Sequence, residues 1–384
     1  MTGITPQVGH RYTFERSDFP AFLTAIRAAG FKVVGPTVRD GAIVYGEIRE
    51  DSDLPVGWTD HQDAGTYRLE RRPDAALFGY NVGPHSWKKY LFPSRERLWT
   101  GSRNDGSFVI TPEPSDGPPL ALLGVRACEL AAIAMQDRVF QKASDPSYAA
   151  RRARTLRIAV QCGQSAPTCF CVSMGTGPGV RTDHDLALTE ILTPQRHSFL
   201  VDVGSPAGAA ILASVPLRPA AAPDARAAED IVTRTAASMK RQMDTRGIRD
   251  LLVNSPEHPR WEIVARRCLA CTNCTMACPT CFCNTSEEVP DLSGATVERW
   301  RRWDSCFNSG FTELHGAAVR KTTLSRYRQW MTHKLATWHD QFGSSGCVGC
   351  GRCITWCPVG IDITEEVAAI RADPGARKSP GGAP

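Results

Sequence analysis

Eight of the fifteen cysteines fall into two runs of identical spacing, "CLACTNCTMACP" from Cys268 to Pro279 and "CVGCGRCITWCP" from Cys347 to Pro358. Each reads Cys-x2-Cys-x2-Cys-x3-Cys-Pro. Three thiolates two residues apart wrap one corner of a 4Fe-4S cube, while N–H groups of the turn point at its sulfides. Glycines at Gly349 and Gly351 ease that wrapping. The fourth cysteine, followed by proline, turns away from its own run and ligates the cube held by the other. The pattern therefore predicts one cluster on Cys268, Cys271, Cys274 and Cys357, and a second on Cys347, Cys350, Cys353 and Cys278. The long stretch between the runs is no obstacle, since each doubling of a loop costs only about 0.6 kcal/mol. Structural zinc is the competing reading, but zinc favours two Cys-x2-Cys pairs over three ligands at two-residue gaps.

Seven cysteines remain, and the segment "PTCFC" occurs twice, at 167–171 and 279–283. Cys128 is expected at a helix N-terminus, where the macrodipole favours a thiolate, and Cys162 just past a neighbouring strand end. With Cys169 and Cys171 on the loop that follows, they form a four-thiolate set suited to a third 4Fe-4S cluster. The alternative is that these four are buried cysteines acting as small apolar residues. Cys281, Cys283 and Cys306 either replace some of those ligands or line the second cluster without binding iron. An odd number of cysteines, with no signal-peptide pattern and no twin arginine in the first twenty residues, favours ligands in a reducing cytoplasm over disulfides. No apolar run approaches a membrane span.

The elements that must position these thiols can be read from periodicity. "SDFPAFLTAIRAAG" reads as a helix capped at Ser17 or Asp18 and stopped at Gly30, and "FKVVGPTVRDGAIVYGEI" as two strands around Asp40-Gly41. Residues 1–115 then form a small α+β unit, closed by the rigid stretch "TPEPSDGPP". In 118–220, "LALLGV", "CELAAIAMQDRVFQ" and "RTLRIAV" make a βαβ unit whose strands lie parallel, and "DLALTEI" and "SFLVDVG" make a hairpin. A helical connection covers 221–256, with "DARAAEDIVTRTAASMKRQM" as its long helix. Residues 257–370 form a helical two-cluster ferredoxin-like domain with a helical insertion, its helical spacing running over 310–342. A disordered tail, 371–384, ends the chain. The fold class is multidomain, α+β with α/β character.

Other features carry less chemistry. "SMGTGPG" lacks the G-x-G-x-x-G spacing, follows no strand directly and reads as a loop, so no nicotinamide nucleotide is expected on this chain. "ERWRRWDSC" and "SRYRQWMTHK" interleave arginine with aromatics, as on a cluster-shielding face or a protein interface; nucleic-acid binding is the remote alternative. His315, His333 and His339 are read as structural. No nucleophile, base and orienting acid can be proposed, so no residue is assigned as catalytic. The net charge of +5 over 384 residues demands neither nucleic acid nor an anionic membrane.

Taken together, "KKYLFPSRERLW", "LLGVRACELAAIAMQDRVF", "TCFCVSMGTGPG", "CPTCFC", "RRWDSCF", "RYRQWMTHKL" and "CVGCGRCITWCPVGID" carry a family resemblance. The chain resembles the beta subunit of cytosolic NAD(P)-linked nickel-iron hydrogenases (sulfhydrogenases) and its relative, the A subunit of anaerobic sulfite reductase. The likeness spans about residues 85 to 365, and "CPVGIDIT" looks more like the hydrogenase branch. It implies an electron-transfer subunit without chemistry of its own. Its partners would be a flavin and 2Fe-2S subunit that handles NAD(P)H, and the hydrogenase small and large subunits or a sulfite reductase catalytic subunit. It also implies that the eight paired-run cysteines are cluster ligands, and the central four match positions where the family has cysteine.

Overall fold

The computed structural model of the chain describes residues 4–104, 107–114 and 117–373. Its largest sheet has eight strands, in the order Arg218–Pro219, Arg11–Glu15, Arg196–Val203, Leu186–Thr193, Thr155–Val160, Leu120–Val125, Lys32–Arg39 and Ala42–Glu47. The four strands starting at Lys32, Leu120, Thr155 and Leu186 run parallel, and the outer ones are antiparallel. "LALLGV" and "RTLRIAV" are thus the parallel pair that the βαβ pattern predicts, and "DLALTEI" and "SFLVDVG" the hairpin. These central strands read as almost unbroken apolar runs because both faces are covered. Ala121, Leu123 and Ile158 face an aromatic layer of Phe14, Phe19, Phe22, Phe78 and Phe199. Leu122, Val125 and Ala159 face the helix Ala127–Lys142 through Leu130 and Ile133. Strands from within 1–115 lie in the same sheet as those of 118–220.

The helix Phe19–Ala28 begins after Asp18 with Pro20 in its first turn, and the first hairpin turns at Asp40 and Gly41, both at positive φ. The long connecting helix spans Ala222–Ala237 and stops short of the expected Met243. Beyond it the chain leaves helical geometry because Arg241 reaches Asp362, the Pro167 carbonyl (2.6 Å) and Asp63 (2.9 Å) while Met243 enters the C-terminal core.

The stretch between the cysteine runs departs from the helical expectation at its start. Asn284–Pro290 and Thr296–Trp303 form a hairpin whose second strand pairs with Arg95–Asn104, which in turn pairs with Ser107–Pro112. "TVERWRRW" is the second of these strands, its Arg301 buried against Glu96 (2.7 Å) and its Trp303 donating to the Phe92 carbonyl at 2.9 Å. Trp300 there lies under the Arg95 guanidinium, 4.1 Å from it. Residues 313–318 also form a small hairpin, turning at His315 and Gly316 with φ of 51° and 77°, as a two-residue turn requires. Helix begins at Thr323 and continues through a π-helical turn, His333–Thr337, into Trp338–Phe342, which carries His339. Of the expected tail, residues 374–384 lie outside the described residues, as do 115–116 of the "TPEPSDGPP" stretch. Among the described residues no helix is long and apolar enough to cross a membrane.

Candidate functional site

The two cysteine runs fold alike, residue for residue. In the first, Ala270 and Thr272 stand at φ of 51° and 71°; in the second, Gly349 and Gly351 occupy the same places at 65° and 77°. Each run then enters a single helical turn, Asn273–Met276 or Arg352–Thr355. Backbone N–H groups donate to sulfur at matching points, Ala270 to Cys268 Sγ and Gly349 to Cys347 Sγ, both at 3.4 Å. Ile361 N–H donates to Cys357 Sγ at 3.3 Å. This is the wrapped, donor-rich geometry that the spacing predicts.

Glycine is needed only in the second run, and the reason is a close approach. A Cβ on Gly351 would meet the Thr168 carbonyl oxygen at 2.4 Å, and one on Gly349 would meet the Cys171 backbone nitrogen at 2.7 Å. The loop carrying the first "TCFC" therefore lies backbone to backbone on the second run. Phe170 N–H donates to the Gly349 carbonyl (2.9 Å), and Thr168 and Thr355 share a hydroxyl hydrogen bond of 2.9 Å.

The thiols gather into groups. Cys268, Cys271, Cys274 and Cys357, with Cys353 beside them, border a small apolar cavity walled by Phe307, Tyr327 and Trp330. Cys353 lies within electrostatic reach of Cys347, Cys350 and Cys278, and also of Cys274 in the first group. Cys162 interacts with Cys128, Cys169 and Cys171, and Cys350 reaches those same three from the second group. Among the described residues no three of these side chains close on a single metal ion, and the backbone N–H groups aimed at Cys268, Cys347 and Cys357 are the donors that an iron-sulfur cluster uses.

Burial dominates most of these thiols when they are free, lifting Cys274 and Cys353 well above the ordinary range and Cys169 to about 12. Cys128 sits in the first turn of its helix as expected, yet burial first, then the neighbouring sulfurs, push it up; the helix dipole does not decide its charge. Cys278 is the exception. Donation from Cys281 holds it well below the usual thiol value despite burial, helped by the Lys334 ammonium and Thr280. Cys283 is likewise held down to about 7 by donation from Cys306. Cys281 thus lies against Cys278 of the second group, while Cys306 pairs with Cys283 and is within electrostatic reach of Cys274 in the first.

Three side chains around these groups were not legible as functional. Lys334, from the π-helical turn, and Lys88 are both buried against the stretch from Cys278 to Cys283. Arg352, between Cys350 and Cys353 of the second run, forms a fully buried pair with Glu129, which neighbours Cys128, at 2.5 Å. Glu129 also accepts from Tyr45 (2.8 Å) and Trp87 (3.0 Å), and Arg352 donates to the carbonyls of Gly83 (3.0 Å) and His85 (2.9 Å). The one signal in the sequence was an arginine inside a cysteine run. His333 packs its ring toward Phe282 and bonds Gln341, a structural placement.

Comparison with known proteins agrees with this geometry. Residues 267–361 match the 4Fe-4S dicluster domain family. Over 372 residues the chain is 27% identical to the sulfhydrogenase 2 subunit beta of Pyrococcus furiosus, covering 94% of this chain and 98% of that protein. No solved structure matches the chain. The chain carries a 4Fe-4S dicluster domain and, along nearly its whole length, is a relative of a sulfhydrogenase beta subunit.

Proposed function

We propose that this chain is the iron-sulfur electron-transfer subunit of a cytoplasmic oxidoreductase complex, joining a flavin and 2Fe-2S subunit that oxidises NAD(P)H to the small and large subunits of a nickel-iron hydrogenase. One observation carries the reading: the second thiol group adjoins both others, Cys353 lining the same cavity as the first group and Gly349 and Gly351 lying against the loop of Cys169 and Cys171. Cys268, Cys271, Cys274 and Cys357 hold one cubane; Cys347, Cys350, Cys353 and Cys278 hold the second; Cys128, Cys162, Cys169 and Cys171 hold a third. When bound, each cubane accepts and releases a single electron with little rearrangement. The chain's own part is to fix the thiols, donate N–H groups to them and keep water from Cys274, Cys347 and Cys353. A hydride donor delivers two electrons together, so a flavin on a partner must split them.

Purified without oxygen, the full chain should hold about twelve irons, four per cubane, and replacing Cys162 and Cys169 together by serine should remove about four. Its visible spectrum should bleach with dithionite and stay unchanged with NADH or NADPH until the flavin subunit is added. Direct reduction of the isolated chain by NAD(P)H, or stoichiometric zinc with no acid-labile sulfide, would overturn the reading. Nickel in the native complex supports the hydrogenase partner; sirohaem in its place assigns the chain to an anaerobic sulfite reductase.

A further inference from the structure

Lys334 is a buried cation that no carboxylate neutralises. Its side chain is 5% exposed and belongs to the π-helical turn His333–Thr337, a distortion that proteins often keep at functional sites. Among the described residues no Asp or Glu pairs with it. Its ammonium meets Thr280 Oγ1 at 3.1 Å, the Gly346 carbonyl at 3.1 Å, Cys278 Sγ at 3.3 Å and Cys281 Sγ at 3.5 Å. The Thr280 hydroxyl spends its own proton on the Gly346 carbonyl (2.6 Å), so toward Lys334 it can only accept. The Lys334 carbonyl in turn accepts from Gly346 N–H at 2.7 Å, clamping the residue immediately before Cys347. A second buried lysine, Lys88, donates to the Cys281 carbonyl at 3.0 Å and stands 3.8 Å over the Trp303 ring, again with no carboxylate partner among the described residues.

Burying an ammonium is costly unless an opposite charge lies nearby. Among the described residues the only side-chain groups its ammonium touches are the Thr280 hydroxyl and the sulfurs of Cys278 and Cys281. Its surroundings differ from those of the first group, where Phe307, Tyr327 and Trp330 make an apolar wall. They differ also from the third, where a buried guanidinium, Arg126, lies within reach of Cys162 and a carboxylate, Glu129, follows Cys128 and is paired with Arg352.

We infer that Lys334 is the counter-charge of the cubane held by Cys347, Cys350, Cys353 and Cys278, and that it makes this middle cluster easier to reduce than it would be without that charge. The inference rests on the ligand assignment above. One electron entering the cluster adds one negative charge beside a fixed positive one, with no proton transferred and no bond formed or broken. A nearby cation in a low-dielectric site favours the more negative state, so the reduced form is stabilised more than the oxidised form. Lys334 is a positioning residue for charge, not a ligand. Lys88 adds to the same field from the other side of Cys281.

The test is an anaerobic redox titration of the full chain with dithionite and mediators, followed by EPR, the middle cluster's signal being identified as the one lost in Cys350→Ser. In Lys334→Met the reduced-to-oxidised ratio of that signal at fixed potential should fall at least tenfold, a shift of about 59 mV for a one-electron couple. Lys334→Arg should stay near wild type, and the signal of the cluster on Cys268, Cys271, Cys274 and Cys357 should move much less. Unchanged titration of the middle cluster in Lys334→Met, with iron and sulfide contents intact, overturns the inference while leaving the conductor reading in place. If Lys334→Met loses four irons, the comparison passes to Lys334→Arg and Lys334→Gln: equal midpoints in the two overturn the inference, and a lower one in Gln supports it. Wild-type protein lacking the clusters would instead remove the functional reading itself.

Discussion

The residue whose loss the molecule should feel most is Arg352. Its guanidinium is fully buried and its only carboxylate partner among the described residues is Glu129, equally buried. Removing one member of such a pair strands the other charge, which typically costs about 3–5 kcal/mol, whereas removing both can be close to neutral. Arg352→Met should therefore lower the midpoint of reversible urea unfolding sharply, and adding Glu129→Gln should recover a large part of the loss. The Tyr45 and Trp87 donors to Glu129 would then face a neutral amide that can still accept. A double variant no more stable than the single one would show that Arg352 acts through its carbonyl contacts with Gly83 and His85 rather than through its charge. At this scale the sequence was most legible where the chemistry is local. Cysteine spacing and the following proline pointed to the eight paired-run thiols, because three of the ligands expected for each cubane fall within one short run. Lys334, Lys88 and Glu129 were silent for the opposite reason: each acquires its role only from groups dozens or hundreds of residues away, and an isolated lysine or glutamate looks like a solvated one.

Among the elements, the two cysteine runs differ in what they can tolerate. Both need left-handed backbone at the same two places, which costs roughly 1–2 kcal/mol for an ordinary residue. The first run bears that cost with Ala270 and Thr272, whereas the second has glycine because the "TCFC" loop occupies the space. Gly351→Ala should therefore destabilise the protein and, by pushing on Thr168, selectively broaden or remove the EPR signal assigned to Cys128, Cys162, Cys169 and Cys171. Thr272→Gly, which frees the equivalent backbone position in the first run, should be neutral or mildly stabilising. Equal effects of the two substitutions on thermal unfolding and on EPR would refute the close-approach explanation. Periodicity revealed the parallel pair and the hairpins of the large sheet, since a buried strand and an amphipathic helix advertise themselves within one window. It failed over 284–303, where "TVERWRRW" is so charged that only its pairing with Arg95–Asn104 makes it a strand.

Across the whole molecule, the dicluster part is stitched into the rest by that pairing and by the "TCFC" loop. A fragment of residues 257–370 would expose the Thr296–Trp303 edge, and unpaired strand edges invite association. It should elute from size exclusion largely as oligomers, and co-expression with residues 1–256 should restore a discrete complex; a well-behaved monomeric fragment holding eight irons would contradict this. The same stitching has a consequence for how the chain is made. Arg95–Asn104 leaves the ribosome roughly 200 residues before its partner strand, on the order of 10–40 s at about 5–20 residues per second. Arg11–Glu15 must wait comparably long for Arg196–Val203. In the proposed ligand set, Cys268, Cys271 and Cys274 stand without their fourth sulfur until Cys357 emerges. Iron loading of that site would then wait for residue 357, and a nascent chain stalled before it would be a thiol-rich, edge-exposed intermediate in need of protection from oxygen and from other chains.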